Sequence, residues 1–203
     1  MTKWITNPFR YISGGPALFL GLAGILAMAF VSSYSKVHLD GVFDVHFGRS
    51  GDFLLFLKEN LLTWASLVLT FGVAGLAIRG RSFRFLDLAG YTALMRLPML
   101  PVVFSPFLFD TYTVVDYLLY TFLEIGEPVS VSFTDFLLFF LMLLLIVAFV
   151  FWSLFWGYFA FRILFNVSRL KSAALFFVII IGAEILVKIA ILFLLPNLAI
   201  LPA

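Results

Sequence analysis

Five apolar runs dominate this sequence, near residues 16–34, 60–78, 85–109, 134–161 and 173–195. Each is long enough to cross about 30 Å of hydrocarbon, which takes about 20 residues of helix. A segment inside a bilayer has no water to satisfy its backbone, so runs of this kind are expected to be α-helical. Composition agrees: 64% hydrophobic and 12% charged residues leave too few polar groups to cover a soluble globule of 203 residues. The expected fold class is an all-α integral membrane protein with five transmembrane helices, short interfacial helices and a small hairpin on the outer face. No linker, low-complexity tract or convincing repeat divides the chain, so residues 1–203 read as a single membrane domain. With no cysteine, disulfides, thiolate nucleophiles and Cys-ligated metals are excluded. The opening "MTKWITNPFRYISGG" lacks the apolar core and cleavage site of a secretory signal, so the first span is expected to be retained.

Orientation follows from the basic residues, because Lys and Arg in short flanks stay cytoplasmic. Lys3 and Arg10 precede the first span; Arg79, Arg81 and Arg84 join the second to the third; Arg162, Arg169 and Lys171 join the fourth to the fifth. All of these belong on one face. The opposite face receives Asp40, Asp44, Asp52, Asp110, Asp116, Glu124, Glu127 and Asp135. This places the amino terminus inside and the carboxyl terminus outside. The basic rim also suits anionic lipid headgroups, at about 1 kcal/mol per residue.

Two connections are too long for simple turns. In residues 110–132, Val114, Tyr117, Leu118 and Phe122 form a helical stripe with Asp116 and Glu124 off it, as in a short interfacial helix ending at Gly126. "RSGDFLLFLKEN" has a similar look, with Ser50 or Asp52 as its cap and Lys58 and Glu59 at the interface. Small residues in the first span (Gly21, Ala23, Gly24, Ala27) and the second (Gly72, Ala74, Gly75) let helix backbones approach closely. Pro98, Pro101 and Pro106 each remove an intrahelical hydrogen bond, so the third span is expected to be kinked or broken.

The stretch "VHLDGVFDVHFG", Val37 to Gly48, alternates apolar and polar residues with period two, which argues for extended strands. A two-residue turn at Asp40-Gly41 would set His38 opposite Phe43 and leave the two histidines on different faces. A three-residue loop over Gly41–Phe43 would instead pair His38 with His46 and Asp40 with Asp44. Those four N/O ligands would suit zinc or another divalent ion, but Phe43 would take a backbone conformation usual for glycine. The preferred reading is a polar hairpin on the membrane surface; the metal site of His38, Asp40, Asp44 and His46 is the alternative.

Arg96, Glu184 and Lys188 fall at membrane depth, with Asp87 near the cytoplasmic end of the third span. Arg96 lies twelve residues past Arg84, and Glu184 twelve past Ser172, so both stand about 18 Å from the same boundary. An ion pair between them is expected, with Lys188 as a third member through the favourable i, i+4 spacing. Catalytic patterns are missing: there is no H-E-x-x-H, G-x-S-x-G or Walker-type loop, and Asp87 has no aspartate partner for intramembrane proteolysis. The expectation is a protein that is not an enzyme and needs no cofactor.

The string "GYTALMRLPMLP" resembles the Gly-Tyr-Ser … Pro element of the YIP family, the five-span Ypt/Rab-interacting membrane proteins, through Gly90, Tyr91, Thr92 and Pro98. "LFWGYFAFRILFNVSRLKSAALFFVII" is similar to that family's fourth and fifth spans, with their aromatic residues and short basic loop, and "NPFRYI" at Asn7–Ile12 resembles the Asn-Pro start of bacterial members. The long cytosolic segment with a Tyr-Gly-Pro element, typical of eukaryotic members, does not precede the first span, so Rab binding is not carried over. The resemblance implies a prokaryotic-type member in the inner membrane, a non-enzymatic adaptor or organiser of undefined biochemical activity. Its partners would be the lipid bilayer and a second copy or another membrane protein, with no nucleic acid. The alternative class is a small transporter or ion-conducting protein using Arg96, Glu184 and Lys188.

Overall fold

Where no proline interrupts an apolar run, the run forms one unbroken helix. In the computed structural model, which describes residues 5–48, 50–79 and 83–195, α1 spans Gly14–Ser35 and α2 spans Phe53–Arg79. The third run is divided as its prolines predict: α3 covers Phe85–Leu94, single 3₁₀ turns follow at Leu97–Met99 and Val102–Phe104, and α4 covers Ser105–Leu108. Then come α5 (Thr111–Leu123), α6 (Phe133–Phe165) and α7 (Arg169–Leu194). Among the described residues, five segments are long and apolar enough to cross a membrane, the third being Phe85–Leu108, and the chain is an all-α membrane protein.

The caps follow from side-chain chemistry. The Asp110 carboxylate accepts from Thr113 N at the start of α5, and Ser132 Oγ accepts from Asp135 N at the start of α6. Asn166 closes α6 in the left-handed conformation at φ 48°, which asparagine tolerates better than most residues. Asp52 Oδ1 accepts from Leu55 N at 2.8 Å, but the helix it starts is not a separate surface element. It runs on without a break as α2, because nothing between Phe53 and Asn60 interrupts the backbone ladder. The expected interfacial Glu59 is therefore buried inside the bundle, at 0% exposure, while Lys58 faces outward.

The broken third span occupies the centre: 78% of its most apolar window is buried, against 17% for α6. α1 crosses α3 with almost no side chain between them. A Cβ on Gly21 would lie 2.5–2.6 Å from Ala93 Cβ, Ala93 C and Leu94 N, and one on Gly90 would lie 2.9 Å from Gly14 O and Leu18 N. Gly24 faces Leu97 on the same side, whereas Ala23, expected with them, points outward.

Tyr91 joins this crossing to the amino-terminal segment. Its hydroxyl donates to Phe9 O at 3.1 Å, and its ring meets Phe9 edge-on at 4.9 Å. Trp152 and Trp156 of α6 both donate their indole N–H to Ile5 O, at 3.2 and 2.8 Å. Tyr91→Phe removes one buried hydrogen bond and keeps the ring, so it is expected to cost about 1–3 kcal/mol through the Phe9 carbonyl left unpaired. Thermal unfolding in detergent checks this, and an unchanged midpoint would mean that water replaces the phenol.

Candidate functional site: a polar loop sunk into the bundle

Residues 37–48 leave the end of α1 and return towards the start of α2. β1 (Val37–His38) and β2 (His46–Phe47) pair antiparallel, with Val37 opposite Phe47 and His38 opposite His46. The histidines therefore stand opposite each other, their rings stacked at 4.7 Å and 2°. The ladder stops there, and residues 39–45 make a longer connection than either tight turn. Phe43 escapes the glycine-like conformation: among the described residues, only Lys36, Glu124 and Asn166 combine a side chain with positive φ.

This element corrects the expectation of a membrane-surface hairpin. Val37 and Leu39 are fully buried, and His38 and Val42 nearly so. Its backbone can be buried because charged side chains from the spans supply the missing partners. Arg96, 1% exposed at the C-terminal end of α3, donates from Nη1 to Gly41 O at 3.2 Å and from Nη2 to Leu39 O at 3.4 Å and Asn60 Oδ1 at 3.2 Å. Glu184 Oε2 on α7 accepts from Val42 N at 2.6 Å and Phe43 N at 3.4 Å. Thr63 Oγ1 on α2 donates to Leu39 O at 3.4 Å. Gly41 permits the approach, since a Cβ there would collide with the Glu184 carboxylate and lie 2.7 Å from Asp44 Cβ.

The expected Arg96–Glu184 ion pair does not form. Both side chains reach a common zone, as their heights required, but each grips the loop backbone that enters between them. Lys188 likewise turns from Glu184 to the loop, meeting Asp40 Oδ1 at 3.0 Å and Asp44 Oδ2 at 2.5 Å. Asp87 stays outside the cluster, 3.7 Å from the exposed Arg84 guanidinium and beside Gly14 at the start of α1.

The four proposed metal ligands divide into two groups. Asp40, Asp44 and His46 can bring one ligand atom each within 4.8 Å of one another. His38 turns away, its Nδ1 2.8 Å from Glu59 Oε1 and its Nε2 against Gly48, where a Cβ would stand 2.5 Å away. The four-ligand set is thus replaced by a three-ligand set and a separate buried His38–Glu59 pair. Burial, the largest influence on Asp40, raises its pKa, but His46 and Lys188 together outweigh it and hold the carboxyl at about 2. His46 is raised above its ordinary value, chiefly by its hydrogen bond to Asp40 and against the effect of burial.

Glu59, Asn60 and Thr63 are the participants that the sequence reading missed. A signal was present: Glu59, Thr63, Ser66 and Thr70 recur at intervals of four, three and four along an apolar helix, which sets them on one face. Gly90, Tyr91, Thr92 and Pro98 play no part in the loop site. Gly90 and Tyr91 serve the α1 crossing and the Phe9 contact, Thr92 Oγ1 bonds Leu88 O within α3, and Pro98 lies buried in the first 3₁₀ turn. Of the basic residues that set the expected orientation, Lys3 and Arg81 and the side chains of Arg79 and Arg169 lie outside the described residues.

The class defined by this geometry is a multi-pass all-α membrane protein in which Arg96 and Glu184, charged residues of the spans, hold one of its own loops. Comparison with protein-family models, with curated proteins and with solved structures gave no match.

Proposed function

We propose that this chain is a non-enzymatic membrane adaptor or organiser of the YIP type, acting through a second copy or another membrane protein. The observation that carries this reading is how the charges at depth are used. Arg96 is engaged by loop carbonyls and Asn60, Glu184 by loop amides, and Lys188 by two loop carboxylates. Charges committed to the protein's own backbone suit a closed scaffold better than a conducting path, where such groups face water or a moving ion. The meeting of Tyr91 with Phe9 adds support, because it joins two of the three short motifs behind the family resemblance. In this reading the protein lies in a prokaryotic inner membrane with the Arg84 end cytoplasmic and the loop end outside.

A small transporter is the second reading, favoured by two buried polar atoms without hydrogen-bond partners, Glu59 Oε2 and Arg96 Nε. Proteoliposomes distinguish the two. The adaptor reading expects no ion or solute movement above protein-free vesicles, together with a stable self or heterologous complex on extraction from native membrane. Flux that disappears in Glu184→Gln would overturn it. For orientation, Glu127→Cys is expected to react with an impermeant maleimide from outside and Ser168→Cys only after permeabilisation; the reverse pattern would invert the protein.

A further inference from the structure

We propose that Asp40, Asp44 and His46 form a divalent-cation site, best matched to zinc, for which the ammonium of Lys188 is a built-in competitor. Two carboxylates and one imidazole from a single loop supply the donors that zinc accepts, and a fourth position would be left for water. Ligand atoms around a tetrahedral ion with bonds of 2.0–2.2 Å stand about 3.3–3.6 Å apart. Here they lie within 4.8 Å, so closing on an ion takes about 1 Å of side-chain adjustment. His46 and Asp44 are partly exposed, with side chains 47% and 40% accessible, so that adjustment is available without moving the backbone.

Independent of the donor set, a cation already sits there. Lys188 Nζ lies against both Asp40 Oδ1 and Asp44 Oδ2, so a positive charge already occupies the space between the two carboxylates. It carries one charge against two carboxylates, whereas a divalent ion matches both. The Lys188 side chain is 40% exposed on a flexible stem near the carboxyl-terminal end of its span, so on displacement its ammonium can snorkel to the interface on that side. His38 is not a ligand in this arrangement, because Glu59 holds its Nδ1 and Gly48 closes on its Nε2. An ion at the site would join the Asp40 side of the loop to the Asp44–His46 side, and so hold the loop by its tip while Arg96 and Glu184 hold its backbone.

The competition supplies a signature that a plain salt bridge lacks. Tag-free protein in detergent, titrated with Zn²⁺ by calorimetry, is expected to bind one ion per chain. Lys188→Met should bind at least about tenfold more tightly, because removing the competitor favours the metal, and Asp44→Asn and His46→Gln should each weaken binding by at least about tenfold. Loss of loop anchoring alone predicts the opposite for Lys188→Met, a weaker site. Should that variant fail to fold, Co²⁺ added to the parent protein decides: a visible absorption of tetrahedral type, abolished by Asp44→Asn, supports the site. Binding absent from both parent and Lys188→Met, zinc affinity unchanged by Asp44→Asn and His46→Gln, or a cobalt spectrum indifferent to Asp44 would each overturn it.

Discussion

Arg96→Met is expected to destabilise the protein by about 3–5 kcal/mol, the range for removing one partner from a buried charged network. The substitution preserves much of the side-chain volume but strips the donors from Gly41 O and Asn60 Oδ1, and leaves Leu39 O only Thr63 Oγ1, in a place where water does not replace them. Arg96→Lys should recover only part of the loss, because a compact ammonium cannot span acceptors that the planar guanidinium reaches together. Arg84→Met serves as the comparison: its guanidinium is 77% exposed, and its contact with Asp87 is a surface pair whose removal should scarcely matter. Unfolding in mixed micelles measures all three, and equal midpoints for Arg96→Met and Arg84→Met would refute the account of the loop. Arg96→Gln and Glu184→Gln should combine to less than the sum of their separate losses, since either one frees the loop that the other holds. Strict additivity would mean that the two side chains grip independent segments.

A comparably large effect is expected at the α1–α3 crossing. Gly21→Leu should prevent the native bundle from forming. Its first added atom would fall 2.5–2.6 Å from Ala93 and Leu94 atoms, two of them backbone, which cannot rotate aside. Gly21→Ala adds that one atom alone and is expected to cost about 1–3 kcal/mol by overpacking. Gly182→Ala is the control, since a Cβ there meets nothing within 4 Å. Thermal midpoints in detergent, with the oligomeric state followed by size exclusion, separate the cases. A Gly21→Leu protein as stable as the Gly182→Ala protein would show that α1 and α3 do not cross as described.

Most of the span architecture was legible because it depends on local properties. The length of an apolar run against the thickness of a bilayer identifies a span, and proline beyond the first turn of a helix breaks it, so that Pro98 and Pro106 each sit at the start of a new short helical turn and Pro101 precedes another. The small residues of α1 marked a packing face correctly at Gly21 and Gly24 and incorrectly at Ala23, because composition names the face without saying where its edge lies. The division of α2 into a surface helix and a span was an error of the same origin. Glu59 reads as polar interface when counted as a charge, and as interior only when its spacing with Thr63 and Ser66 is followed around the helix.

The sequence by itself determined five apolar spans, a broken third one, the common height of Arg96 and Glu184, and the placing of His38, Asp40, Asp44 and His46 in one short loop. Helix rise and residue spacing are properties of neighbouring residues, so these features follow without knowledge of the rest of the chain. Only the tertiary structure decided what Arg96 and Glu184 hold. Arg96 meets a carbonyl 55 positions away and Glu184 an amide 142 positions away, and no local rule selects such partners. A charge at membrane depth must be compensated, and an ion pair is the simplest compensation available from side chains alone. A loop with unpaired carbonyls and amides offered another, and entering the bundle satisfied the backbone and both charges together.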